Sequence, residues 1–264
     1  MTRILAIANQ KGGVGKTTTS VNLAASLSAT KRSVLLVDMD PQGNATMGAG
    51  IDKNEVEHSI YDLLIGDRDF DDVVLDAPES GFGVLPANGD LVAAEIELLE
   101  LPDRESRLRN ILRDIDGRYD FVVVDCPPSL NMLTLNALVA AEGVIIPMQC
   151  EYYALEGLSA LMDTISAISQ THNPGLQVEG ILRTMYDPRA KLTTEVSHQL
   201  FEHFGDRVYR TVVPRNIRLA EAPSYGLPVL AYDRHSRGAI AYLALAGEML
   251  RRQEQQQEAA AASV

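Results

Sequence analysis

The sequence predicts an α/β protein built on a single doubly wound, mostly parallel sheet flanked by helices. Apolar runs of strand length alternate with longer helical patterns, an order that implies right-handed crossovers between parallel strands. Most of these runs are continuously apolar, which is typical of strands buried on both faces of a sheet. We expect one domain over residues 1–264, with no internal repeat.

The elements follow in chain order. The apolar runs predict strands at 4–8, 33–38, 119–125, 143–149, 178–186 and 208–214. The intervening helical patterns predict helices at 18–29, 105–115, 133–141, 155–170, 192–204 and 239–257. Residues 50–105 combine scattered Gly, Pro and acidic residues, and we expect them to cap one edge of the sheet. The polar tail, about 253–264, is expected either to extend the last helix or to fray.

The amino-acid composition and the distribution of apolar residues and cysteines limit the classes to which the protein can belong. The chain has 264 residues, 46% of them hydrophobic, enough for one large core or two small ones. No apolar stretch approaches the roughly 18 residues of a membrane-spanning helix, and the start MTRILAIANQ does not fit a secretory signal peptide. Cys126 and Cys150 are far apart and form no C-x-x-C pair, so packing is their expected role. We expect a cytoplasmic protein.

Charge is unevenly distributed along the chain. The net charge is −13, but residues 51–120 hold 19 Asp or Glu against 7 Lys or Arg. Residues 180–220 hold 7 Lys or Arg against 4 Asp or Glu. The acidic character therefore belongs mostly to one segment, and the total charge does not exclude a polyanionic partner elsewhere on the surface.

The stretch QKGGVGKTT, residues 10–18, is almost a phosphate-binding loop. The usual spacing G-x-x-x-x-G-K-[ST] requires glycine where Gln10 stands. The loop nevertheless lies between a predicted strand and a predicted helix, as a phosphate cradle requires, and Gly12, Gly13 and Gly15 can turn backbone N–H groups inward. Lys16 is placed to reach the β- and γ-phosphates of a nucleotide, and the Thr17 hydroxyl to ligate Mg²⁺.

The run K-G-G-V-G-K-T-T resembles the deviant Walker A motif of the ParA/MinD class of P-loop ATPases. The resemblance implies that Lys11 crosses a dimer interface and contacts the phosphates bound by the other subunit, with the logic of an arginine finger. It also implies nucleotide contacts from Lys11, Gly12, Gly13, Val14, Gly15, Lys16, Thr17 and Thr18. The missing first glycine then marks a homodimer that forms in the ATP state.

Acidic residues at two predicted strand ends complete the predicted site. Asp38 and Asp40 lie two residues apart and share a face, at the strand end where ligands bind in open α/β sheets. Resemblance to the family's D-x-D-P-Q motif implies that Asp40 positions the attacking water and that Asp38 lies nearer the Mg²⁺ shell. Asp125 closes an apolar strand like a Walker B carboxylate, which holds the metal's water ligands.

We therefore predict hydrolysis of ATP to ADP and phosphate. No motif contains a histidine or cysteine nucleophile, and phosphoryl transfer to water needs none, because catalysis rests on positioning and charge stabilisation. Lys11, Lys16 and Asp40 are the predicted catalytic residues, and hydrolysis should be slow until a second subunit completes the site.

The carboxyl-terminal half suggests what the ATPase is for. Residues 182–189 and 211–226 resemble blocks of chromosomal ParA proteins of the Soj type, a resemblance that covers nearly the whole chain. It implies that Pro214 and Asn216 lie near the adenine base. It also implies a ParB-type partner that binds centromere-like sites and stimulates hydrolysis through a short basic amino-terminal segment.

A basic surface is the predicted link to the nucleoid. The resemblance implies that Arg189 and Arg218 bind double-stranded DNA without sequence preference, and Lys191 and Arg215 are close enough in sequence to join them. A few phosphate contacts give weak, salt-sensitive affinity, which dimerisation would strengthen through bivalency.

Other classes of protein share this loop. A MinD-like membrane switch needs an amphipathic carboxyl-terminal helix, and the apolar face here ends at Leu250. Iron–sulfur carriers need bridging cysteines, and an ATP-sensing scaffold without hydrolysis would not need Lys16, Asp40 and Asp125 together. A relative that regulates transcription or positions other cargo would use the same chemistry and stays open.

Overall fold

The computed structural model describes residues 2–262 and contains one eight-stranded sheet. Its strands are β1 (Arg3–Ile7), β2 (Val34–Asp38), β3 (Leu75–Ala77), β4 (Phe82–Leu85), β5 (Phe121–Asp125), β6 (Gly143–Gln149), β7 (Gln177–Tyr186) and β8 (Val208–Pro214). The strand order is β3-β4-β2-β5-β1-β6-β7-β8, and every neighbouring pair is parallel except β3 with β4. The predicted fold class is confirmed, and all six predicted strands are present.

Helices connect the strands. They are α1 (Lys16–Ser28), α2 (Asn44–Gly48), α3 (Ile60–Ile65), α4 (Phe70–Val73), α5 (Leu91–Glu97), α6 (Arg107–Asp114), α7 (Met132–Ala140), α8 (Ala154–Thr171), α9 (Lys191–Phe204), α10 (Ile217–Glu221), α11 (Val229–Tyr232) and α12 (Arg237–Ala262). Helix α12 carries the predicted polar tail as far as Ala262, and residues 263–264 lie outside the described residues. No helix within residues 2–262 is long and apolar enough to span a membrane.

The core lies on both faces of the sheet, as the continuously apolar strands predict. In β5, Val122 and Val124 pack into one apolar cluster and Val123 packs into the other. The first cluster is covered by helices that include α6, α7 and α8, and the second by α1 and α12. Both cysteines are buried and unpaired, in keeping with a packing role.

Residues 50–105 form the β3 edge of the sheet, with short helices around it. The antiparallel pair β3–β4 lies beside β2, so this segment contributes strands as well as covering helices. The sequence pattern did not predict these strands, because β3 is short and largely exposed and β4 begins with Phe and Gly. Gly81, with φ +78°, closes the turn between them in a conformation that favours glycine.

Strand register brings the predicted site together. Asp125, the last residue of β5, lies opposite Ile7 at the end of β1 and opposite Asp38 at the end of β2. The glycine-rich loop leaves the sheet directly after β1. The loop and both strand-end carboxylates therefore share the carboxyl edge of the central strands, where ligands bind in such sheets.

Candidate nucleotide site

The glycine-rich loop has the backbone geometry of an anion cradle. Gly13 and Gly15 have φ of +73° and +89°, in the left-handed region that residues with a side chain avoid. Gly15 is the N-cap of α1, whose first backbone N–H groups have no partner within the helix. Thr184 of β7 supports the loop, because its hydroxyl donates to the carbonyl oxygen of Val14 at 2.7 Å. The loop thus presents backbone N–H groups at the positive end of a 13-residue helix.

The two lysines of the loop have opposite environments. Lys16 is only 7% exposed, and its Nζ lies 3.3 Å from the carbonyl oxygen of Lys11. Burial lowers the pKa of Lys16, while the nearby carboxylates of Asp125 and Asp40 act in the opposite direction. Lys11 is about half exposed, and its Nζ pairs with Glu151 Oε2 at 2.5 Å. Lys16 is therefore built into the loop's own site, and Lys11 extends away from it.

Asp125 is fully buried and joins β5 to the start of α1. Its Oδ2 accepts a hydrogen bond from the Thr17 hydroxyl at 2.8 Å, and its Oδ1 accepts one from the Ser20 hydroxyl at 2.7 Å. Burial, reinforced by the charge of Asp38, raises the pKa of Asp125 to about 8. A buried carboxylate of this kind favours a cation beside it.

Asp38 is also fully buried, and both of its oxygens have donors. Oδ2 accepts hydrogen bonds from the backbone N–H and the hydroxyl of Thr46, both at 2.8 Å, and Oδ1 accepts one from the Asp40 N–H at 3.1 Å. Burial raises the pKa of Asp38 to about 6 against these hydrogen bonds. The geometry shows Asp38 holding the start of α2 and the turn that carries Asp40.

Asp40 follows that turn at the mouth of the site. It is 8% exposed, and its Oδ1 accepts a hydrogen bond from the Gln42 N–H at 3.0 Å. Within residues 2–262 its Oδ2 has no hydrogen-bond partner. The charge of Asp40 acts to raise the pKa of Lys16, against the larger lowering effect of burial.

The residues at the start of α1 and the end of β5 are suited to a magnesium ion that is also coordinated by a nucleotide phosphate. Within residues 2–262, no group of three or more His, Cys, Asp or Glu side chains could hold a metal ion. Mg²⁺ does not require such a cage, because it is usually bound by one or two protein oxygens, waters and substrate phosphates. The Thr17 hydroxyl, hydrogen-bonded to the buried carboxylate of Asp125, supplies a protein oxygen of the kind that this mode of binding uses.

A small, mainly apolar cavity of about 180 Å³ adjoins the loop. Gly15 and Thr18 line it together with Pro214 and Asn216, so the predicted base-binding residues lie beside the predicted phosphate loop. The Asn216 side chain also caps α10, accepting from the Arg218 N–H at 3.0 Å. Met185 lines the same cavity with φ +48°, an uncommon conformation for a residue with a side chain.

Ser20, Thr46, Thr184 and Met185 were not predicted from the sequence. The helical and strand patterns place these residues inside elements without marking them, and their roles depend on contacts between elements distant in sequence. Thr184, for example, lies 170 residues from Val14. The only sequence signal for Ser20 is its position three residues after Thr17, on the same face of α1.

The four predicted DNA-binding residues differ in how exposed they are and in how far acidic neighbours offset their positive charges. The side chains of Arg189 and Lys191 are 88% and 91% exposed, each with one acidic neighbour, Asp187 or Glu195. Hydrogen bonds from Arg189, together with the charge of Arg215, lower the pKa of Asp187 to about 2.

Arg218 is the most neutralised of the four. It pairs with Glu221 at 2.8 Å and with Asp233 at 3.3 Å, and its side chain is 46% exposed. Arg215 is exposed and has no ion pair among the described residues. Arg218 is therefore the least available of the four residues for contact with a polyanion. Fewer acidic neighbours offset the charges of Arg189, Lys191 and Arg215.

Several known proteins are similar in sequence to this chain. A family model described as an AAA domain matches residues 2–178. The chromosome-partitioning ATPase Soj of Thermus thermophilus is 51% identical over 253 residues, covering 96% of this chain and 97% of the relative. The chromosome partitioning protein ParA of Myxococcus xanthus is 50% identical over 250 residues, covering 95% and 88%.

A solved structure of similar fold contains a nucleotide. A crystal structure of a protein described as cobyrinic acid a,c-diamide synthase from Mycobacterium smegmatis, with bound ADP and magnesium, superposes with a TM-score of 0.85. The two chains are 40% identical, and the match covers 96% of each. The fold described above is thus similar to that of a protein of about the same length that was solved with bound ADP and magnesium.

Proposed function

Because the chain belongs to the Soj/ParA family of chromosome-partitioning ATPases, we propose that it is a DNA-partition switch driven by ATP. It hydrolyses ATP with Mg²⁺. In the ATP state two copies form a sandwich dimer that binds DNA without sequence preference on the nucleoid. Hydrolysis, stimulated by a ParB-type partner, releases the dimer. The observation that carries this proposal is the contrast between Lys16, buried in its own loop, and Lys11, exposed beside it.

The residues of one chain perform most of the chemistry. The loop N–H groups and Lys16 bind the β- and γ-phosphates, and Pro214 and Asn216 border the base. Thr17, hydrogen-bonded to Asp125, would hold Mg²⁺, which would supply positive charge against the phosphates. Asp40, one oxygen of which has no hydrogen-bond partner within residues 2–262, orients the attacking water.

The second copy supplies the remaining positive charge. Lys11 of that copy would stabilise the charge that develops on the transferred phosphoryl group. A half-exposed ion pair such as Lys11–Glu151 contributes about 0–1 kcal/mol, so exchanging it for a phosphate contact is inexpensive. Hydrolysis should therefore depend on dimer formation.

The test is phosphate release per chain, measured over a range of protein concentrations. For the wild-type protein we expect the rate per chain to rise with concentration as dimers form. Lys11→Ala should bind fluorescently labelled ADP normally and show a low rate that does not rise. A wild-type rate per chain that stays constant at all concentrations would remove the second copy from the mechanism.

A further inference from the structure

Helix α5 and the 3₁₀ turn after it expose a row of large apolar side chains. Val92, Ile96 and Leu99 are 58%, 71% and 50% exposed, and their spacing of four and three residues places them on one helical face. The opposite face is fully buried against the rest of the protein, through Leu91, Ala94 and Leu98. A surface helix normally has a polar outer face, and a cluster of exposed apolar residues on such a helix is typical of an interaction site. We call these three residues the α5 face.

The α5 face lies in a strongly acidic part of the chain. Residues 69–103 contain ten Asp or Glu and no Lys or Arg. Asp90, Glu97 and Glu100, next to the apolar row in sequence, are exposed. The first basic residue beyond the row, Arg104, is paired with Glu105 at 2.9 Å. A partner with apolar and basic side chains matches this surface in both respects.

Hydrogen bonds connect α5 and the loop before it to the nucleotide site. On one side, the Ala87 N–H donates to the Thr46 hydroxyl at 2.9 Å, and that hydroxyl donates to Asp38. On the other side, the Asn131 side chain donates to Glu95 at 2.5 Å and caps α7, the first helix after Asp125. A ligand that shifts α5 would therefore act on both strand-end loops that carry the acidic residues of the site.

We propose that the α5 face is the docking site for a short amphipathic segment with one apolar row and flanking Lys or Arg, carried by the partner that stimulates hydrolysis. This inference rests on the proposed function for the existence of that partner. A second copy of the chain is the poorer occupant, because a two-fold contact through this face would bring two acidic surfaces together.

The experiment uses the full-length chain and the ParB-type protein encoded in the same genome, with binding measured by biolayer interferometry in ATP. The double variant Ile96→Ala with Leu99→Ala truncates side chains of residues that are 71% and 50% exposed, so its fold and basal hydrolysis should be unchanged. We expect its affinity for the partner to fall at least about tenfold, with loss of stimulated hydrolysis. The matched control is Ile240→Ala with Leu243→Ala, on α12, whose side chains are 56% and 37% exposed.

A charge variant tests the second half of the proposal. Glu100→Gln should weaken partner binding by roughly two- to fivefold. Wild-type binding should also weaken as salt rises through roughly 0.1 to 0.5 M.

The other outcomes separate the two proposals. If the partner binds and stimulates the wild-type chain and the Ile96/Leu99 variant equally, the docking site lies elsewhere and the proposed function stands. If that variant instead loses ATP-dependent dimerisation in light scattering, the face is an interface between copies and the docking proposal is wrong. If the wild-type chain neither binds nor responds to the partner, the partner in the proposed function fails, and the docking proposal fails with it.

Discussion

Lys11 Nζ lies 2.5 Å from Glu151 Oε2, at an ion pair whose two side chains are 47% and 51% exposed. The lysine expected to act in a second subunit is thus held loosely on the surface of its own chain. Its backbone is fixed separately, because its N–H donates to Asn9 Oδ1 at 2.9 Å. The side chain can therefore leave Glu151 without a change in the loop.

The first prediction concerns Glu151→Gln. An exposed pair contributes little to folding, so the melting temperature should change by no more than about 2 °C. Freeing Lys11 should lower the protein concentration needed for the ATP dimer by roughly two- to fivefold. Light scattering across a concentration series measures this. A variant that needs more protein than wild type would show that Glu151 supports the dimer.

The second prediction concerns Gly12→Val. Gly12 lacks the positive φ of Gly13 and Gly15, and a Cβ at Gly12 would meet no atom within 4 Å in its own chain. The variant should therefore fold and bind nucleotide normally. We expect it not to dimerise, because the side chain would intrude where two backbones approach.

Light scattering with ATP provides the measurement for Gly12→Val, and the smaller change Gly12→Ala serves as its control. Normal dimerisation by the valine variant would contradict the close approach of two copies at this loop.

The third prediction concerns Asp40→Ala. With the residue that orients water removed, hydrolysis should fall at least about a hundredfold while ATP still binds, so the ATP dimer should persist. Phosphate release and light scattering on the same sample measure both effects. Asp67→Ala, at an exposed carboxylate, should behave like wild type. Normal turnover by the Asp40 variant would exclude this residue from the mechanism.

The fourth prediction separates the four candidate DNA-binding residues. Changing Arg189, Lys191 and Arg215 together to Ala should weaken DNA binding at least about tenfold and reduce its salt dependence, while ATP dimerisation persists. Arg218→Ala alone should have a smaller effect, because Glu221 and Asp233 already offset its charge. The control is Arg118→Ala, equally exposed at 46% but in the acidic segment. If Arg218→Ala proved as damaging as the triple variant, its ion pairs must open on DNA.

The sequence predicted the central strands and the loop because local patterns specify them. The apolar runs of β2 and β5 are buried at every position, and Gly13 and Gly15 adopt the conformations that only glycine readily accepts. Edge strand β3 could not be predicted from three residues, two of them exposed.

The residues of the site could be predicted from the sequence more easily than the hydrogen bonds and ion pairs between them. Asp38 and Asp125 could be named from their strand ends, but two of the three donors to Asp38 come from Thr46, eight residues later on a helix that no pattern marked. Part of the neutralisation of Arg218 arises from Asp233, 15 residues away. Such pairings depend on the conformation of the turns that bring these residues together, and the spacing of apolar residues carries no information about that conformation.

The most direct test is the fluorescence anisotropy of a labelled random-sequence duplex DNA, titrated with the protein in ATP, in ADP and without nucleotide, at two salt concentrations. An ATP-gated switch predicts tight binding with ATP only, and weaker binding at the higher salt concentration. Equal binding in all three states, or none in any, would contradict a DNA switch and leave an ATPase whose output is something else.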